Sequence, residues 1–114
     1  MAFKRGATPT ITIVVNGMTF QGYKVYVTIE DPAGTQITKN SDGPNVTKTV
    51  LYDDSGTATG CSIAMTLSQE ETLSLQEGTG QLQLTWINSL GDVDKSEIGK
   101  YKIDRTLYEQ TVEF

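Results

Sequence analysis

Apolar and polar residues alternate with a period of two along most of this chain, which predicts strands rather than helices. From Thr10 onward, Ile11, Ile13 and Val15 fall on one face and Thr10, Thr12 and Val14 on the other. Pro9 precedes them, where its missing N–H costs little, so a first strand is expected over about Thr8–Asn16. "YKVYVTIE" repeats the device, with Val25, Val27 and Ile29 facing inward and Lys24, Tyr26, Thr28 and Glu30 facing water. "DPAG" at Asp31–Gly34 then turns the chain into a short returning strand, "TQITK". "NSDGPN" from Asn40 to Asn45 is dense in turn formers and reads as a surface loop. "TKTVLYDD" and "ATGCSIAMTL" flank Asp54-Ser55-Gly56 and read as a hairpin whose second arm turns Cys61, Ile63, Met65 and Leu67 inward.

One helical signal interrupts the strands. Ser68 followed three residues later by Glu71 forms a capping box, so "SQEETLSL" is expected to be a short helical turn between strands. "EGTG" at Glu77–Gly80 lacks the lysine and helix of a phosphate loop and reads as a connection. "QLQLTWIN" places Leu82, Leu84 and Trp86 inward. "NSLGD" leads to a long final strand around Glu97–Leu107, with Tyr101 and Ile103 inward between Lys100, Lys102 and Asp104. About seven strands result. No segment holds the helical period of a crossover helix, so the expected fold is all-β, a two-sheet antiparallel sandwich with one short helical turn.

Composition adds limits to this picture. The 17 threonines suit a pleated, half-buried surface. At 114 residues one domain is expected, spanning 1–114, with residues 1–7 as an N-terminal arm and 108–114 as a C-terminal tail. The formal charge of -5 argues against a protein that holds nucleic acid by neutralising phosphates. No apolar run approaches the length of a membrane-crossing helix, and "MAFKRGATPT" has charge but no apolar stretch, so neither a membrane partner nor a secretion signal is expected. Under that reading the "NVT" at Asn45 carries no glycan. Cys61 is the only cysteine, so packing and ladder hydrogen bonds must hold the fold, as in a reducing compartment. Cytoplasmic assembly is the corresponding expectation.

Candidate chemistry is sparse. The sequence has no histidine, so no Ser-His or Cys-His nucleophile exists, and no enzyme is expected. Cys61 lies on an inward face and reads as core. Glu70 and Glu71 are neighbours in a first helical turn, point apart and read as helix-end residues. Calcium can take oxygen from Asp53 and Asp54 or from Asp92 and Asp94, but these border turns, where Asp is common, and no metal or other cofactor is expected. Lys95, Lys100, Lys102 and Arg105 line the last strand, near Lys4 and Arg5 if the first and last strands are neighbours. They read as charges protecting a sheet edge, with an acidic partner as the alternative. The tail "LYEQTVEF" carries Leu107, Tyr108, Val112 and Phe114 with little polar cover, and either completes its own sheet or docks on a neighbouring subunit.

Five stretches together carry a family resemblance: "FKRGATPTITI", "GYKVYVTIEDPAGTQITK", "MTLSQEETLSL", "GQLQLTWINSLGDV" and "YKIDRTL". Their pattern resembles small virion proteins of tailed phages of Gram-positive bacteria, and is similar to the N-terminal module of the phage baseplate upper protein, an immunoglobulin-like β-sandwich. The resemblance covers most of the chain, with the "RG-x-TPT" lead-in and the "LSQEETL" crossing before the Trp86 strand as its most specific elements. It implies a structural protein of the virion, assembled in the host cytoplasm, in the tail, baseplate or neck. Its implied partners are other virion proteins and further copies of itself. Under this resemblance Lys4, Arg5, Tyr108, Val112 and Phe114 are the partner-binding candidates. The arm and tail make the contacts, the sandwich is a rigid spacer, and removing residues 1–6 spares the fold while abolishing assembly. A capsid decoration protein is the nearest alternative. A carbohydrate- or cell-surface-binding sandwich is the alternative from another class, with only Tyr26, Tyr52 and Tyr108 as outward aromatic candidates.

Overall fold

The computed structural model describes residues 2–114. In chain order its elements are β1 (Ala2–Lys4), β2 (Thr10–Asn16), β3 (Lys24–Glu30), β4 (Gln36–Asn40), β5 (Val46–Tyr52), β6 (Ala58–Thr66), α1 (Gln69–Leu73), β7 (Gly78–Ile87), β8 (Val93–Lys95) and β9 (Gly99–Asp104). The larger sheet has the order β1-β9-β7-β3-β4, with β8 also paired to β7; the smaller has the order β2-β6-β5. The all-β sandwich expected from the alternation is present.

Alternation sets the register. Val25, Val27 and Ile29 of β3 lie opposite Trp86, Leu84 and Leu82 of β7, while Ile11, Ile13 and Val15 of β2 lie opposite Met65, Ile63 and Cys61 of β6. A one-residue slip of β3 or β2 would turn Val25, Val27 and Ile29, or Ile11, Ile13 and Val15, to water. The inward residues of both sheets form one core, and each fully buried Ile, Leu or Val contributes roughly 1.5–3 kcal/mol. Phe20 closes one end of that core edge-on to Trp86, with ring centroids 5.1 Å apart. Its backbone is left-handed (φ 57°), an uncommon state for a side chain of this size. The Lys48 ammonium supports it, donating to the carbonyls of Phe20 (3.2 Å) and Tyr23 (2.6 Å).

Several expectations need correction. The segment expected as an arm is part of the sheet: Ala2–Lys4 runs parallel to β9, with Phe3 opposite Ile103. Phe3 is buried with its ring stacked on Tyr101 at 5.5 Å, and β1–β9 is the one parallel pair among the described residues. The first long strand begins at Thr10 rather than Thr8. The final strand is shorter than Glu97–Leu107 and covers Gly99–Asp104, with β8 as a separate three-residue strand before it. Nine strands therefore replace about seven. Gly78, Thr79 and Gly80, expected in a connection, belong to β7. A Cβ on Gly80 would lie 2.4 Å from the Tyr101 ring, so glycine here makes room for the aromatic side chain of the neighbouring strand.

Tyr101 is thus held between Gly80 and Phe3, and its hydroxyl donates a long bond (3.4 Å) to the Glu30 carbonyl. Burial pushes its phenol up to about 12, and the negative charges of Asp31 and Glu30 add to the effect. Because the folded value is raised, this stabilisation is complete below the unfolded tyrosine range and is lost as pH rises toward the folded value. Between about pH 10 and pH 12 the protein is expected to lose roughly 2 kcal/mol of stability, read by urea unfolding at stepped pH. Tyr101→Phe should lose much less over the same window, and identical slopes for the two proteins would contradict the assignment.

Candidate functional site

The corner where the Lys4–Gly6 segment and the tail meet α1 brings four of the five sequence candidates together. Ser68 caps α1 as expected: its hydroxyl accepts from the Glu71 N–H and the Glu71 carboxylate accepts from the Ser68 N–H. Glu71 also meets the Lys39 ammonium at 2.8 Å. Burial alone raises the Glu71 carboxyl, but Lys39 and the cap hydrogen bonds outweigh it and hold it below the usual carboxylate range. This fixes α1 across the end of the sandwich.

Arg5 seals the other end of the helix. Its Nη2 donates to the Leu73 carbonyl at 2.7 Å and its Nε to the Leu75 carbonyl at 2.6 Å, supplying partners to carbonyls that the helix end leaves free. The remaining Nη1 pairs with the Glu109 carboxylate of the tail. Gly6, at φ 80°, follows in the left-handed conformation and donates its N–H to the hydroxyl of the buried Thr72. Thr72 in turn donates to the Ala7 carbonyl at 2.9 Å. Arg5 is therefore engaged within its own chain, whereas Lys4 is exposed.

The tail forms no strand, so of the two sequence alternatives completion of its own sheet does not occur. It lies along α1, held by Gln69, whose side-chain amide donates to the Val112 carbonyl (3.0 Å) and accepts from the Val112 N–H (2.8 Å). That pairing reads main chain as a neighbouring strand would. Between tail and body is a groove of about 270 Å³ bordered by Lys4, Arg5, Gln69, Tyr108 and Val112. Phe114 does not border it and is fully exposed. Leu107, Tyr108 and Val112 are also more than half exposed. Gln69, Thr72 and Glu109 were not singled out in the sequence; only the capping box beside Gln69 and Thr72 gave any signal there.

The other candidates scatter. Lys100 and Lys102 share the outward face of β9 with Asp104, which lies opposite Lys4 and 3.7 Å from the Lys102 ammonium. Lys95 sits on β8 opposite Thr85, away from them. Cys61 is fully buried, and burial pushes its thiol up. Asp53 holds its own turn, its Oδ1 accepting from the N–H groups of Ser55 and Thr57 and from the Ser55 hydroxyl. Asp92 accepts from the Asn88 amide and Asp94 from the Lys95 N–H. Among the described residues no three His, Cys, Asp or Glu side chains converge as a metal site. No helix of the described residues is long and apolar enough to cross a membrane. Tyr26, Tyr52 and Tyr108 lie on β3, at the end of β5 and in the tail, and share no platform.

No protein-family model matches the chain, and no curated protein matches it.

Proposed function

We propose that this protein is a structural component of a tailed-phage virion, in the tail, baseplate or neck, and that its immunoglobulin-like sandwich acts as a non-catalytic assembly module. One observation carries the reading: a C-terminal segment with Leu107, Tyr108, Val112 and Phe114 exposed, tied to the body by the Gln69 amide and the Arg5–Glu109 ion pair. Surface ion pairs contribute about 0–1 kcal/mol each, so this segment separates from its own body at little cost. Its uncovered apolar side chains gain most when a neighbouring protein covers them. The resemblance of the "RG-x-TPT" and "LSQEETL" stretches to phage virion modules supplies the kind of particle. Other virion proteins and further copies of this chain are the partners under this reading.

Light scattering on a sizing column tests it, with the whole chain and with the residues after Leu107 removed. A particle mass that falls on removal of the tail is the expected result. A monomer in both forms, which also leaves phage structural proteins unbound in pull-down, would count against it.

A further inference from the structure

Strands on a free side of a sheet expose unpaired N–H and C=O groups to any passing chain, and proteins blunt them by shortness, inward charges, proline or bulges. Four of the five such strands here are blunted. β1 and β8 have three residues each and carry Lys4 and Lys95. β4 and β5 each place a lysine on their inward face: Lys39 opposite Val27, and Lys48 opposite Ile63. β5 also shifts register between Leu51 and Tyr52.

β2 has none of these devices. Its seven residues, "TITIVVN", hold no charge and no proline, and pair with β6 without a register shift. Among the described residues its backbone bonds only to β6. Its inward positions are Ile11, Ile13 and Val15, and the last two are only half-buried. Val14 on the outward face is 56% exposed. Around Val14 the outward face of the whole small sheet is uncharged: Thr10, Thr12, Ser62, Ala64, Thr47 and Thr49.

We propose that β2 is a self-pairing edge, which joins two copies of this chain into one continuous sheet with the order β5-β6-β2-β2-β6-β5. An antiparallel strand paired with its own copy is two-fold symmetric, the commonest symmetry of soluble dimers. Centring the pair on Ile13 sets Ile11 opposite Val15 and Thr12 opposite Val14, so inward residues meet inward ones and both cores continue across the junction. A chain of net charge -5 meets no like charge along this edge, and the edge offers no charge by which a foreign strand is selected. One strand pair is small beside a standard interface of about 1,600 Å², so the dimer is concentration-dependent.

Sedimentation of the full chain from about 5 µM to about 1 mM, the range in which so small an interface forms, tests the proposal. The mass is expected to rise toward twice the monomer value. In hydrogen exchange the β2 amides should gain protection with concentration while those of β1 and β4 do not. Thr12→Lys with Val14→Lys places like charges opposite each other across the axis and should weaken dimerisation about tenfold or more. Thr12→Lys with Val14→Glu places opposite charges there and should leave it within about threefold of the unmodified chain. Circular dichroism confirms that both variants are folded. A monomer at the highest concentration, or β2 amides that gain no protection, overturns the proposal. So does a mass that the double lysine variant leaves unchanged at every concentration, and if that mass falls on removal of the residues after Leu107, the contact lies in the tail alone.

Discussion

Removing residues 1–6 is expected to unfold most of the protein at 37 °C, or at least to remove about 4–6 kcal/mol of stability, a large share of the roughly 5–15 kcal/mol that holds a domain of this size together. The segment supplies a core side chain and a helix-end anchor. Phe3 is 6% exposed and fills the space over Tyr101; loss of a buried phenylalanine typically costs about 3–5 kcal/mol. Arg5 gives two hydrogen bonds to the Leu73 and Leu75 carbonyls, and a bond from a charged donor contributes about 1.5–3 kcal/mol. Arg5 also lends a third arm to the tail through Glu109. Urea unfolding separates these parts. Phe3→Ala should lose about 3 kcal/mol and Arg5→Ala about 3 kcal/mol, the low end for two such bonds, while the exposed Lys4 loses nothing measurable on the same change. A truncated chain that unfolds at the same urea concentration as the whole one would show that the segment is a separable arm, as the sequence suggested.

Asp31→Ala is expected to cost about 3 kcal/mol, again by urea unfolding at neutral pH. This carboxylate is 4% exposed, and its partners among the described residues are main-chain amides. Oδ1 accepts from the N–H groups of Ala33 (3.0 Å) and Thr35 (2.8 Å), closing the β3–β4 turn, and Oδ2 accepts from Gln76 (2.8 Å), between α1 and β7. One side chain thereby ties a turn at one end of the large sheet to the segment that arrives from the helix. Burial by itself raises this carboxyl, but the amides of Gln76, Thr35 and Ala33 together more than offset that and hold it below the usual carboxylate range. The sign follows from the lowered folded value: the stabilisation is present above the unfolded range near pH 4 and is lost as pH falls through the folded value. Acid unfolding of Asp31→Asn should therefore show a weaker dependence on pH below about 4 than the unmodified chain, and equal dependence would rule out this role.

Much of this architecture was readable because its strands alternate cleanly. The faces of β2, β3, β6 and β7 were each set by three or more apolar residues at a spacing of two, and the α1 cap by Ser68 and Glu71. β1 was not readable, since "AFK" offers a single large apolar side chain and a period needs at least two. β8 has the same defect, with Val93 alone. The glycines at 78 and 80 concealed the start of β7, because glycine signals a loop unless a partner across the sheet requires its missing side chain, and Tyr101 is 21 residues further on. Asp31 looked like an ordinary turn former; only its reach to Gln76 buries it. At the candidate site Lys4, Arg5, Tyr108 and Val112 stood out as terminal charges and uncovered apolar residues, and they do share a groove. What the sequence did not reveal was that Arg5 is spent on its own helix, because a guanidinium's partners lie about 70 residues away.

The parallel pairing of β1 with β9 also orders events during synthesis. Its partner residues, Lys102 to Asp104, are made about a hundred residues after it. The Phe3 ring therefore has nothing to stack on until Tyr101 has emerged, and residues about a hundred positions apart must be brought together before β1 can dock. β1 is made early and docks late. Until then β9 offers an open side to other nascent chains, so completion of the fold is the step most exposed to misassembly when many copies are made at once.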